Sequence, residues 1–321
     1  MKMKILVPLR SFDQIDTYID AGADEFYFGF DDPVWEKTFG SVNDMNRMSA
    51  MKAKSNSFSR DDVPEVIRRI HARDRKCYIT LNANCYSRDH LAYCEELFSC
   101  LTAEKPDGII FSDILLVDAI RNAGMVPVAS TMCAIYNTDI LEYYRQMGVV
   151  RVILPRELSL DEIRAFTERC PQLEFETFLM RNGCMFSDSN CLGVHRGNFG
   201  GICGFIRNSD HRLISDEPPG SIHSKRFRHS LYTDMMLRNA CGLCAIYRML
   251  QMNISAVKIV GRADRTDEVA KDIRAVRRNM EIARECTSEE MFLEKIEIPD
   301  RWKTVCGLSC YYPEVSVNKL R

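Results

Sequence analysis

Eight short apolar runs recur along the chain, separated by amphipathic stretches of helical period. The runs cover 3–9, 25–30, 76–82, 108–112, 126–131, 150–154, 173–179 and 256–260. Their length and their bounding turn residues predict buried β-strands. Between them, apolar residues spaced three and four apart predict helices over 12–21, 59–73, 88–103, 114–123, 138–147, 159–170, 241–252 and 267–285. Ser159-Leu160-Asp161-Glu162 has the S/T-x-x-E form of a capping box, which fixes one of these starts. Val269, Ile273, Val276 and Met280 form the inward stripe of the last helix, a packing face with no functional content. The polar, Met-rich segment 31–59 reads as an excursion.

Strands alternating with helices predict a parallel α/β protein. Eight of them, evenly spaced, favour a (β/α)8 TIM-barrel-like fold. No G-x-G-x-x-G follows the first strand, so the usual dinucleotide fingerprint is missing. The expected organisation is one barrel over 1–285, with a cysteine-rich and basic insertion at 180–240 and a tail at 286–321.

In such a barrel, chemistry gathers at the C-terminal ends of the strands. Those ends carry Arg10, Asn82, Asp113, Ser130, Thr131, Arg156, Glu157, Arg181, Cys184 and Arg262. Arg156, Arg181 and Arg262 are expected to face one space, which points to an anionic ligand. Glu157 and Glu176 are the candidates for handling or positioning a proton.

Composition narrows the chemistry. With 46% hydrophobic residues, 27% charged and a net charge of −2, the chain is a globular protein without a bulk electrostatic pull on nucleic acid. The apolar run at 3–9 is too short for a secretory h-region, and no stretch is long enough to span a membrane, so a cytoplasmic protein is expected. In that compartment, the 14 cysteines point to metal or redox chemistry rather than disulfides. Cys77, Cys94, Cys100 and Cys170 sit within strand or helix patterns and read as small buried hydrophobes. Cys184, Cys191, Cys203 and Cys244 converge from loops and a helix start, the arrangement a soft metal needs. An iron–sulfur cluster is the expected occupant, because the long gaps between ligands differ from a compact zinc ribbon; zinc is the alternative.

Several segments, in order, resemble the U32 proteins, a family long labelled collagenase-like peptidases. They are Asp20-Ala-Gly-Ala-Asp-Glu-Phe-Tyr-Phe-Gly29, Tyr78-Ile-Thr-Leu-Asn82, Ile109-Ile-Phe-Ser-Asp113, Ala129-Ser-Thr131 and Pro155-Arg-Glu-Leu-Ser-Leu-Asp-Glu162. Glu176-x-Phe178, Cys184-x6-Cys191, Gly242-Leu-Cys244 and Lys258-Ile-Val-Gly-Arg262 complete the set, which covers residues 1 to about 280. The resemblance implies a [4Fe–4S] cluster on Cys184, Cys191, Cys203 and Cys244. It also implies a part in oxygen-independent hydroxylation, of a small aromatic quinone precursor in one branch and of RNA in another, with peptidase activity in other members.

The chain departs from the family pattern at Met180-Arg181, where a His-Gly pair is usual, and in its short 191–203 loop. Cys241 is additional, as is the Cys306-x3-Cys310 pair in the tail. Cys241, Cys306 and Cys310, with Cys286 in reach, make a candidate second metal site, or Cys241 competes with Cys244 for the first. H-E-x-x-H and G-x-S-x-G are both absent, which removes the common zinc-peptidase and serine-hydrolase signatures.

The insertion 204–229 holds Arg207, His211, Arg212, His223, Lys225, Arg226, Arg228 and His229, a basic run suited to RNA phosphate or an anionic small molecule. Three functions follow as expectations. One is an iron–sulfur hydroxylase-like enzyme acting on RNA or a small aromatic, with an anionic substrate or oxygen donor. Another is a U32 peptidase. The last is a non-catalytic cluster protein that serves a partner subunit.

Overall fold

The structure, a computed structural model, describes residues 3–40, 44–49, 55–101, 103–184, 187–190, 240–304, 306 and 309–317. Cys191, Cys203 and the basic run 204–229 lie outside the described residues. Eight parallel strands close into a barrel: β1 (Lys4–Pro8), β2 (Glu25–Phe28), β3 (Lys76–Leu81), β4 (Gly108–Phe111), β5 (Val126–Ala129), β6 (Arg151–Ile153), β7 (Glu174–Met180) and β8 (Ala256–Ile259). Their order around the barrel is their order in the chain. Closure comes from β1 against β8, with Lys4, Ile5 and Leu6 opposite Ala256, Val257 and Lys258. The TIM-barrel expectation is met, and every predicted strand is found within two residues of its bounds.

The helices ring this barrel: α1 (Asp13–Ala21), α2 (Pro33–Phe39), α3 (Val63–His71), α4 (Arg88–Cys100), α5 (Val117–Asn122), α6 (Thr138–Gln146), α7 (Leu160–Arg169), α8 (Ile246–Gln251) and α9 (Thr266–Glu285). Ser159 and Glu162 form the predicted reciprocal box at the start of α7. Two expectations need correction. The excursion after β2 contains α2, which Asp32 caps by accepting from the Val34 and Trp35 amides at 2.9 and 3.2 Å. Its apolar anchors are only Trp35 and the part-buried Phe39, too few to give a periodic signal. Cys241 does not open a helix: its backbone bridges Met180 and Cys310, and α8 starts only at Ile246 after a 3₁₀ turn, Leu243–Ala245.

Two further short helices, α10 (Glu289–Lys295) and α11 (Asp300–Lys303), lead the chain back across the outside of the barrel, and Phe292 and Trp302 are buried in the core. The final described residues return to the end of β7, where the Tyr312 hydroxyl donates to the Phe178 carbonyl at 2.8 Å. Among the described residues, no helix is long and apolar enough to cross a membrane.

Candidate functional site at the barrel mouth

Strand period sets what lines the barrel. Side chains two apart share a face, so Glu174, Glu176 and Phe178 of β7 rise in one column from floor to mouth. The lower part of the interior is a closed charge network. Arg151 reaches Glu25 at 2.7 Å, Glu176 at 3.1 Å and the Tyr78 hydroxyl at 2.8 Å. Lys258 pairs with Glu176 at 2.7 Å and lies over the Tyr27 ring. Two buried acids, Glu25 and Glu176, meet two bases here, and the part-exposed Glu174 lies 3.5 Å from Arg151 as a third acid. Glu176 is therefore placed within the barrel wall's ion network, below the mouth. Burial raises the Glu25 carboxyl and lowers the Lys258 amine, with the ion partners opposing both shifts.

The upper part is the mouth. Arg156, just past β6, is pressed flat on Phe178, with its guanidinium carbon 3.7 Å from the ring centroid. Its Nε donates to Asp188 at 2.6 Å; one Nη donates to the Asn182 carbonyl at 2.9 Å and to the Tyr311 hydroxyl at 2.7 Å. Asp188 takes a second cation, Arg47, and its Oδ2 lies 3.4 Å from the Thr131 hydroxyl. Burial alone would raise this carboxyl, but Arg156 and Arg47 hold it well below the usual carboxylate range. Glu157, the neighbouring candidate, is exposed on the rim.

Arg262 enters the mouth from the loop after β8 and is 8% exposed. Its Nη1 donates to Asn56 at 2.9 Å and lies 3.4 Å from the Thr80 hydroxyl. No carboxylate among the described residues pairs with it. Burial, with Arg47 adding to it, pulls its pKa down to about 10. Beside it, the buried Asn46 side chain accepts from Asn56 through Oδ1 at 3.2 Å, while its Nδ2 has no partner. These groups crowd over Gly29: a Cβ there would lie 2.5 Å from Asn56 Oδ1, 2.7 Å from Arg262 Nη1 and 2.9 Å from Asn46 Nδ2. An unpaired cation and an orphaned donor at one point form a cradle for an anion.

Arg181 does not join Arg156 and Arg262. Arg181 and Asn182 both have positive φ, 68° and 35°, and turn the chain sharply at the end of β7. The Arg181 side chain leaves the mouth and pairs with Asp264 at 2.8 Å and Asp272 of α9 at 2.7 Å. Asp272 also accepts from the Trp302 indole at 2.7 Å. Arg181 is thus neutralised on the outside of the barrel, and α9 carries its anchor in addition to the apolar stripe. The Tyr311 hydroxyl holds the strained turn by donating to the Arg181 carbonyl at 2.6 Å.

Cys184 follows this turn, half-buried, and its sulfur bears electrostatically on Arg156 and Tyr311. A guanidinium near this sulfur would offset the charge of a metal-bound thiolate, which suits a ligand to a soft metal. Cys244 is buried in the 3₁₀ turn before α8. At the opposite end of the barrel, His71, Cys77 and Asp107 draw together, with His71 Nε2 3.0 Å from Asp107 and 3.9 Å from the Cys77 sulfur. The Cys77 thiol is wholly buried and pushed upward, which is the reverse of an activated nucleophile.

Asp188, Arg47, Asn46, Asn56 and Tyr311 were not anticipated. Asp188 is the one acid between Cys184 and Cys191, which is a usable signal; the others have none, since long-range folding alone brings them to the mouth.

Residues 10–304 match the model of Peptidase family U32, so the chain belongs to that family. It is 27% identical over 194 residues to an uncharacterized protease of Methanocaldococcus jannaschii, covering 59% of this chain and 43% of that one. It is 28% identical over 145 residues to tRNA hydroxylation protein P of Escherichia coli, covering 44% and 32%. With tRNA hydroxylation protein P1 of Bacillus subtilis it shares 22% over 299 residues, covering 91% and 66%. The chain thus spans less than half the length of the first two. Tyr311 lies beyond the matched family region.

Proposed function

We propose that the chain is an iron–sulfur enzyme, or the catalytic part of one, for oxygen-independent hydroxylation of RNA, with a small aromatic as the other substrate class. Cys184, Cys191, Cys203 and Cys244 are the ligands the family resemblance supplies, and the setting of Cys184 beside Arg156 suits that role. When bound, the cluster supplies electron transfer. The observation that carries the reading is the cradle at Arg262, a buried cation with no carboxylate partner among the described residues, next to the Asn46 Nδ2 that has no hydrogen-bond partner there. It would orient an anionic substrate or oxygen donor, while Asp188 and Tyr311 keep Arg156 fixed against Phe178. The relatives named for tRNA hydroxylation support RNA as the acceptor, and the basic run 204–229 would bind its phosphates.

The test is anaerobic purification with iron, sulfide and zinc analysis, followed by mass spectrometry of tRNA nucleosides from cells with and without the gene. Iron and sulfide lost on Cys184→Ala, with a hydroxylated nucleoside that depends on the gene, is the expected result. Peptide cleavage that survives both chelation and Cys184→Ala would instead establish the peptidase reading, which the relative named as a protease keeps in play.

A further inference from the structure

Away from the mouth, one group of side chains has the makings of a metal site. It is not in the tail. Cys241 and Cys310 are joined through their backbones, and Cys286 is buried at the end of α9. Among the described residues, however, the tail cysteines form no trio of donor atoms within 4.8 Å of one another. The trio that does so lies at the opposite, N-terminal face of the barrel and consists of His71, Cys77 and Asp107.

Three elements supply it. His71 is the last residue of α3, Cys77 is the second of β3, and Asp107 stands one residue before β4. Backbone contacts fix all three. The Arg75 N–H donates to the Ile70 carbonyl at 3.2 Å, and Asp74, at φ 51°, turns the chain from α3 straight into β3. The Asp107 N–H donates to the Cys77 carbonyl at 2.9 Å, and the Cys77 N–H returns to Asp107 Oδ2 at 2.9 Å. The sheet therefore orients the carboxylate before any ligand arrives.

The donor atoms converge. His71 Nε2 lies 3.0 Å from Asp107 Oδ2 and 3.9 Å from Cys77 Sγ. One imidazole nitrogen cannot donate to the carboxylate and accept from the thiol in the same tautomer. Hydrogen bonding alone thus leaves one of the two contacts unmade, whereas a cation between the three uses a lone pair of each. A tetrahedral zinc ion would set nitrogen and oxygen roughly 3.4 Å apart, and nitrogen and sulfur roughly 3.6 Å apart. The observed gaps stand within about half an ångström of both. The His71 and Asp107 side chains are 37% and 27% exposed, which gives the ion a way in and leaves room for a water as fourth ligand. Cys77 closes the site from the buried side.

We infer that His71, Cys77 and Asp107 bind a zinc ion that clamps the N-terminal face of the barrel. The mixed nitrogen, sulfur and oxygen set belongs to the ligands zinc takes. On binding, the thiol gives its proton to solvent and the sulfur coordinates as thiolate. The clamp joins the end of α3, the start of β3 and the approach to β4, and at this face of a barrel such ties serve stability. It shares no residue with the centre proposed at Cys184 and stands whether or not that centre holds iron.

The full chain, purified without air, is titrated with zinc and separately with cobalt, and metal content is measured after removal of the excess. About one zinc per chain, in addition to the metal of the Cys184 centre, is expected. His71→Ala and Asp107→Asn should each weaken zinc binding by more than about a hundredfold, beyond what loss of an outer-shell partner costs. Cys184→Ala should keep this zinc. Cobalt in the wild type should show a thiolate charge-transfer band that Cys77→Ala abolishes. His71→Ala, at a part-exposed position, keeps the test open should the buried Cys77→Ala fail to fold. Added zinc should raise the melting temperature of the wild type and of Cys184→Ala, and leave that of His71→Ala unchanged. No zinc in the wild type, or zinc undiminished in His71→Ala, would overturn the inference. Zinc lost with Cys184→Ala alone would assign the metal to the mouth instead, and a cobalt spectrum without the thiolate band would reduce His71 and Asp107 to holding an adventitious ion only.

Discussion

Arg156 and Asp188 meet at 2.6 Å between the end of β6 and the short loop after Cys184, and this ion pair ties the cysteine segment to the barrel. Asp188 is shared with Arg47, so one carboxylate offsets two guanidinium groups in a buried place. Asp188→Asn keeps the shape and removes the charge. Breaking a buried pair on one side costs about 3–5 kcal/mol, because the partner is left uncompensated. The variant should show a lower urea midpoint with an unchanged slope. A change below about 0.5 kcal/mol would mean that solvent reaches this pair.

The same carboxyl predicts a pH dependence. Its folded pKa is depressed by Arg156 and Arg47 against the opposing effect of burial. A depressed acid stabilises the fold in full above its unfolded value of about 4 and loses that contribution as pH falls towards the folded value. The stability gap between wild type and Asp188→Asn should therefore be constant from pH 7 down to about 5 and shrink below about 4. Urea titrations at a series of pH values measure it. A gap that closes near neutrality would contradict the assignment.

Much of the fold was legible because its signals are local. Runs such as 108–112 and 126–131 are short, apolar and bounded by turns, and a closed parallel barrel is the economical way to bury eight of them. The capping box at Ser159 depends on a four-residue pattern and survived unchanged. The mouth was only half legible. Arg156 and Arg262 could be placed there because they follow strands directly. Arg181 also follows a strand, yet two positive-φ residues swing it outward onto Asp264 and Asp272, a turn that no side-chain pattern announces. Asn46, Asn56 and Tyr311 reach the site across sequence separations that local periodicity cannot see. Cys191 and Cys203 lie outside the described residues, so their part in the site stays a proposal.

Tyr311 offers a test of the tail's structural role. Burial keeps its hydroxyl protonated, pushed up to about 12, and it donates to the Arg181 carbonyl while accepting from Arg156. Tyr311→Phe leaves a buried carbonyl and a buried guanidinium hydrogen without partners, at a cost of about 1–3 kcal/mol. Because the carbonyl belongs to a strained residue, the loss should fall mainly on the turn at Arg181 and Asn182. Hydrogen exchange there should speed up, with the amides of β3 and β4 unaffected. Uniform acceleration across the barrel would show instead that the tail supports the whole fold.

Arg262 separates function from stability most cleanly. A buried guanidinium without a carboxylate disfavours the fold, which is why burial pulls its pKa down to about 10. Arg262→Met removes the charge and fills the space with a flexible apolar chain, so stability should be equal or higher. If the cradle holds an anion, the same change removes a charge-assisted contact of about 2 kcal/mol or more, some thirtyfold in affinity. Gly29→Ala reaches the same site from another side, since its Cβ would press on Arg262 Nη1 and Asn56 Oδ1. Both variants should lose hydroxylated nucleoside from tRNA, read by mass spectrometry, and Arg262→Met should do so with no fall in its urea midpoint. Full activity in a stable Arg262→Met protein would remove the anion from the mouth, and lost stability with lost activity would make Arg262 a structural cation.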